Sequence, residues 1–165
     1  MTLPEDELKI YASYIGDSGY IILRQGQEKY TLHHESQSQQ KGFNFPFQLG
    51  WNGNGDTPDK SLSFEHDAQP GDIVILGTDG VFDNISGEDV TSLVNQHLSS
   101  NKFKAKELAE LIANKSFELS FSETHRSPFA IEAQKYGYRY EGGKSDDITV
   151  VVGRVMNNSI DEVDL

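Results

Sequence analysis

The stretch Gly71-Asp72-Ile73-Val74-Ile75-Leu76-Gly77-Thr78-Asp79-Gly80-Val81-Phe82-Asp83-Asn84-Ile85-Ser86 decides how this chain is read. It begins at a Pro70-Gly71-Asp72 turn, runs through an unbroken apolar segment from Ile73 to Leu76, and ends in Asp79-Gly80 with a further acid at Asp83. A continuous apolar run of that length predicts a strand buried on both faces. A carboxylate at the mouth of such a strand is costly to desolvate unless something neutralises it.

A second segment has the mirror-image order. Ser145-Asp146-Asp147 stands directly before Ile148-Thr149-Val150-Val151-Val152, a β-branched strand. If one strand leaves the site and the other arrives antiparallel to it, Asp79 and Asp146 come side by side. No Arg adjoins either cluster, and only Lys144 is near. Hard cations such as Mg²⁺ and Mn²⁺ take oxygen ligands, and Asp is a short, stiff donor. On this ground Asp79 and Asp146 are candidate metal ligands. The competing reading is that both merely cap turns, as Asp before Gly often does.

Outward from these strands the pattern is mixed. Lys9–Ile15, Tyr20–Arg24 and Glu28–His34 read as a meander of short antiparallel strands, with Gly16-Asp17-Ser18-Gly19 and Gln25-Gly26 at the turns. Residues 35–60 are irregular and hold the Asn52-Gly53-Asn54-Gly55-Asp56 loop, which lacks the spacing of a calcium-binding EF-hand. Ser61–His66 is a further extended segment. Ser86 is a fitting N-cap for a helix to about Leu98, and a second helix spans roughly Lys104 to Leu119 with Leu108, Leu111 and Ile112 on its apolar stripe. Ser127-Pro128 opens a shorter helix to Tyr136. Strands, then helices, then a strand make an α+β domain over residues 1–155, followed by an acidic tail at 156–165.

Composition narrows the function. A net charge of −12 argues against nucleic acid and anionic membrane as partners, since a phosphate surface would repel the chain. The chain contains no cysteine, which excludes disulfides, thiolate zinc sites and a Cys nucleophile and favours an intracellular setting. No apolar run approaches membrane-spanning length, and the acidic start Met1–Glu7 resembles neither a signal peptide nor a transit peptide.

The segment from Gly71 to Ser86 closely resembles the signature of the metal-dependent serine/threonine protein phosphatases of type 2C. In that signature a strand ends in Ser/Thr-Asp-Gly-apolar-aromatic-Asp. Ser145–Val152 resembles the same family's Asp-Asn/Asp-Ile-Thr motif, and Gly16-Asp17-Ser18 its Gly-Asp-Ser motif. Three further pieces look like the mitochondrial and plastid branch: Phe43–Leu49, Ser127-Pro128-Phe129-Ala130 and Gly142-Gly143-Lys144-Ser145-Asp146-Asp147.

The resemblance implies an antiparallel β-sandwich flanked by helices and two Mg²⁺ or Mn²⁺ ions, with a third bound weakly. It implies phosphoprotein substrates, hydrolysed by a metal-activated water. Residue by residue it makes Asp79 and Asp146 metal ligands and links Asp83 to the third ion. Gly80 becomes a tight turn, Asp147 a neighbour rather than a ligand, and Asp17 a holder of its own turn. It points to a mitochondrial location, although no targeting signal is present in this chain. It covers the family's C-terminal half only. The upstream Asp-Gly-x-Gly segment, the phosphate-binding Arg and the general-acid His have no counterpart, and His33, His34, His66, His97 and His125 lack the context to replace them. The chain alone is therefore expected to be inactive, and its uncovered faces and edges to favour self-association. The alternative is a catalytically incomplete pseudophosphatase-like module that acts by binding protein.

Overall fold

The computed structural model describes residues 8–51 and 53–157. The acidic start, Asn52 and the tail from residue 158 lie outside the described residues. Within the described residues, strands and α-helices follow one another as β1 (Lys9–Tyr14), β2 (Gly19–Gln25), β3 (Tyr30–Glu35), β4 (Gln40–Gly42), β5 (Phe45–Pro46), β6 (Leu62–Asp67), β7 (Ile73–Gly77), α1 (Asp79–Phe82), α2 (Gly87–Leu98), α3 (Ala105–Ser120), α4 (Pro128–Lys135) and β8 (Val150–Arg154). Among the described residues no helix is long and apolar enough to cross a membrane.

The main sheet has the order β3-β2-β7-β8 and is antiparallel throughout. Register places Ile21 opposite Ile75 and Leu23 opposite Ile73, so these four fully buried side chains form one continuous face. Against it pack Val81 and Ile85, Val90 and Val94 of α2, and Leu108 and Ile112 of α3. Fully burying an aliphatic side chain is worth roughly 1.5–3 kcal/mol, so this row and the helices above it are the stable frame on which the site stands. The helices start where their caps predict. The Ser86 side chain accepts from the Asp89 amide at 3.2 Å, and Ser127 accepts from Ala130 at 3.0 Å with Pro128 at the first position.

Two expectations from sequence change here. The first three strands do not form a simple meander, because of these only β2 and β3 make a hairpin while β1 leaves to pair with β6 in a separate two-stranded ribbon. That ribbon lies over the β2–β3 half of the main sheet through the rings of Tyr14, Tyr20, His34, Phe64 and His66. The β7–β8 half of the same face is open. Leu76, expected to be buried with the rest of its run, is 47% exposed, and its neighbour Val151 is 55% exposed. The apolar continuity of Ile73–Leu76 thus reports one buried face and one uncovered one. Element ends also move. The third strand runs from Tyr30 to Glu35 and the last from Val150 to Arg154, two residues later than the β-branched run suggests.

Candidate metal and phosphate site

At the end of β7 the chain turns directly into α1, with Thr78 as its N-cap residue and Asp79 as its first residue. Thr78 ties this corner to the segment entering β8. Its Oγ1 donates to the Asp147 carbonyl at 2.8 Å and accepts from the Thr149 amide at 3.1 Å, while its own amide donates to the Thr149 carbonyl at 3.2 Å. With β7 and β8 paired antiparallel, these bonds bring Asp79 and Asp146 to the same edge.

The three sequence-derived acids converge on a single cation. The Lys144 ammonium lies 2.9 Å from Asp79 Oδ2, 2.6 Å from Asp83 Oδ2 and 3.1 Å from Asp146 Oδ2. In Asp79 and Asp146 the other oxygen is already engaged. Oδ1 of Asp79 accepts from the Gly80 amide and Oδ1 of Asp146 from the Asp147 amide, each at 2.9 Å. Each carboxylate is thereby turned so that one oxygen faces the cation. Among the described residues no group of three or more acidic or histidine side chains stands in an arrangement that would hold a metal ion. The carboxylates are grouped around the lysine.

Lys144 is placed by a buried clamp. Asn84, fully buried, donates from Nδ2 to the carbonyls of Gly80 and Lys144 at 2.9 and 2.8 Å, and its Oδ1 accepts from the Lys144 amide at 2.8 Å. The Asn84 carbonyl is in turn 2.7 Å from His125 Nε2. Gly143 makes the approach possible, since a side-chain carbon there would stand 2.1 Å from the Leu119 carbonyl at the end of α3. The ammonium also lies over the Phe129 ring, 5.1 Å from its centre, and Phe129 packs on Phe43 at 5.0 Å. The three segments that suggested one branch of a family, around Phe43, Phe129 and Lys144, therefore meet at one place.

Electrostatics follow the packing. Burial raises the Asp83 carboxyl to about 6, with Lys144 opposing the rise. Burial also works against the charge on Lys144, but hydrogen bonds to Asp83, Asp79 and Asp146 outweigh it and push the ammonium above its ordinary range. Asp146 is held low by the Asp147 amide and then by Lys144. Asp72, the other acid of the decisive stretch, takes no part in the cluster. It is buried and paired with Arg24 through both oxygens at 3.2 and 2.9 Å.

The supporting residues divide. Gly80 is helical, not a tight turn. Its missing side chain serves close packing, because a Cβ would stand 2.5 Å from the Asp147 carbonyl. Asp17 does more than hold its turn. Burial and then the charge on Asp79 raise its pKa. It also lines, with Glu35, Phe43, Phe82, Asp83 and Phe129, a cavity of about 230 Å³ next to the carboxylates. The Asp147 side chain is exposed and its backbone does the work. Sequence reasoning missed Lys144 and Asn84 as members of the site. The available signal was an Asn beside Asp83 in a corner flanked by Val81, Phe82 and Ile85, where a buried amide must find partners.

No family model matches the chain. In sequence it is similar to the probable protein phosphatase 2C 80 of Arabidopsis thaliana, 39% identical over 149 residues that make up 90% of this chain and 35% of that protein. It is 33% identical to the protein phosphatase PTC7 homolog fig of Drosophila simulans over 162 residues, 93% of this chain and 50% of the fly protein. In structure it matches the photosystem II phosphatase PBCP with a TM-score of 0.77 and 28% identity, over 89% of this chain and 59% of that one. The chain thus spans no more than about half the length of these curated relatives.

Proposed function

Because this chain belongs with the type 2C protein phosphatases, whose sequence and fold it shares over their C-terminal portion, we propose that it contributes that part of a catalytic domain hydrolysing phosphoserine and phosphothreonine in proteins. In this reading Asp79 and Asp146 hold Mg²⁺ or Mn²⁺, and Asp83 serves a further, weaker ion. The observation that carries it is the convergence of Asp79, Asp83 and Asp146 on one cation, the Lys144 ammonium. Three hard oxygen donors around one positive charge fit a hard divalent ion by donor type. Bound there, such ions supply an activated water and a counter-charge for the phosphoryl group.

The chain's own groups prepare this site. The amides of Gly80 and Asp147 fix one oxygen of each ligand, so that the other points inward without further loss of side-chain freedom. Thr78 locks the two ligand-bearing segments in register. The cavity beside Asp83 offers room for a substrate group, with Phe43 and Phe129 on one wall.

The test is phosphate release from a phosphoserine peptide by the full-length protein with Mn²⁺. Asp79→Asn and Asp146→Asn should each lower the rate at least about a hundredfold, the scale lost with one electrostatic group of a reaction site. Asp147→Asn should be mild. Equal losses in all three variants, or full activity in EDTA, would overturn the assignment.

A further inference from the structure

Lys144 is built into the carboxylate cluster, and the phosphatase reading above gives it no role of its own in binding metal or in the reaction. Its side chain is only 16% exposed, and all three of its carboxylate contacts are at hydrogen-bond distance. Its backbone cannot drift from the site, because the Asn84 side chain holds both its amide and its carbonyl. Only the flexible stem can move. The oxygens it engages on Asp79 and Asp146 are the ones left over once Gly80 and Asp147 have taken Oδ1. An ammonium and a divalent ion would therefore compete for the same two Oδ2 atoms.

We propose that Lys144 is a resident counter-ion of the metal-free site, and that divalent-metal binding is an exchange in which the ammonium leaves Asp79 and Asp146. The proposal rests on the reading of these two residues as metal ligands. Without metal, three partly buried carboxylates at this distance repel one another, and the lysine supplies the positive charge that lets them stay together. With metal, its charge beside the ion is unfavourable, and Oδ2 of Asp79 and of Asp146 would be needed by the ion. Two ligands that exclude each other are linked, so deleting one strengthens the other by the coupling between them. Lys144 is in this sense a positioning residue that sets metal affinity.

The experiment uses the purified protein, its Lys144→Met variant and its Lys144→Arg variant. Free Mn²⁺ is titrated by electron paramagnetic resonance, and Lys144 is probed by amine acetylation read by mass spectrometry. In Lys144→Met, Mn²⁺ should bind about tenfold more tightly, within the range typical of coupled sites. The same variant in EDTA should melt at a lower temperature than wild type. Lys144→Arg keeps the charge and should stay within about twofold of wild-type Mn²⁺ affinity. In wild type, Mn²⁺ should raise the acetylation rate of Lys144 and leave exposed Lys106 unchanged. Mn²⁺ affinity that is unchanged or weaker in Lys144→Met, or Lys144 acetylation indifferent to Mn²⁺, would overturn the exchange while leaving the ligand assignment intact. Absence of Mn²⁺ binding in all three proteins would overturn both.

Discussion

The carboxylate cluster at the end of β7 and the ring cluster between the two sheets both place titratable groups in partly buried positions, and they are satisfied in opposite ways. At the first, charge is kept and compensated: three Asp side chains share the Lys144 ammonium, and the amides of Gly80 and Asp147 each bond one of the carboxylates. At the second, charge is absent. His34 and His66 lie with ring centres 4.2 Å apart, among Tyr14, Tyr20 and Phe64, and burial lowers the pKa of both histidines. Tyr20 and His66 share a hydrogen bond of 2.7 Å, whereas the buried Nε2 of His34 has no hydrogen-bond partner among the described residues. The cation exchange proposed above calls for the first kind of arrangement. A contact that only holds two sheets together is served by the second.

The largest expected effect breaks the first arrangement at its anchor. Asn84→Ala leaves the Gly80 carbonyl and both backbone groups of Lys144 without their buried partner, and opens a cavity beside Val81 and Ile85. Unpaired buried polar groups cost about 1–3 kcal/mol each where water cannot replace the bond, so a total loss of roughly 3 kcal/mol is expected in urea unfolding. A loss below about 1 kcal/mol would mean that water takes over the clamp. In the ring cluster contacts are spread over several side chains instead.

Gly80→Ala is the next step down. Its Cβ would meet the Asp147 carbonyl at 2.5 Å and the Ile148 side chain at 3.2 Å, and the first of these is backbone with little freedom to give way. Overpacking of this kind costs roughly 1–3 kcal/mol. It should also push α1 from β8 and separate Asp79 from Asp146, so Mn²⁺ affinity should fall together with the melting temperature. An Ala variant that binds Mn²⁺ like wild type would show that the close approach is not what holds the two ligands in register.

Much of the first region was legible in the sequence and little of the second. Asp79 and Asp146 flank the two apolar runs, and antiparallel pairing of those runs would put them at one sheet edge. Antiparallel pairing of β7 and β8 meets that expectation. The four-residue helix α1 was hidden, because Thr78-Asp79-Gly80 reads as a turn when its long-range bonds to Asp147 and Thr149 are unknown. Lys144 was seen as a neighbour in sequence, but its partners lie as far as 65 residues away, and no local pattern encodes such a contact. In the second region β1 pairs with β6 far along the chain, from Lys9 with Asp67 to Tyr14 with Leu62, and His34 and His66 meet only because the ribbon folds over β2 and β3. Exposure of Leu76 has the same origin: periodicity shows which residues are apolar, not how far a second layer reaches.

The smallest effect is a difference in pH response, and it tests whether the two regions are opposite in sign. The histidines lie below their unfolded value of 6.5, so the unfolded chain takes up more protons as pH falls. Their contribution to stability is fully present above pH 6.5 and is lost as pH falls below it. Asp83 behaves in reverse: its carboxyl is raised from 3.8 to about 6, so the folded chain binds the extra proton and gains stability as pH falls from about 6 toward 3.8. Around the rings, the titratable groups that bear on His34 are His66, His33 and Tyr20, none of them acidic enough to offset a second positive charge. His34→Phe keeps a ring and forfeits no hydrogen bond of Nε2. It should match wild type in melting temperature at pH 7.5 and fall less than wild type between pH 7 and 5. Asp83→Asn should do the contrary and steepen the loss over the same interval. If His34→Phe and wild type lose stability in parallel, the histidines are not what the ribbon's acid sensitivity depends on, and the contrast between the two regions reduces to the carboxylates alone.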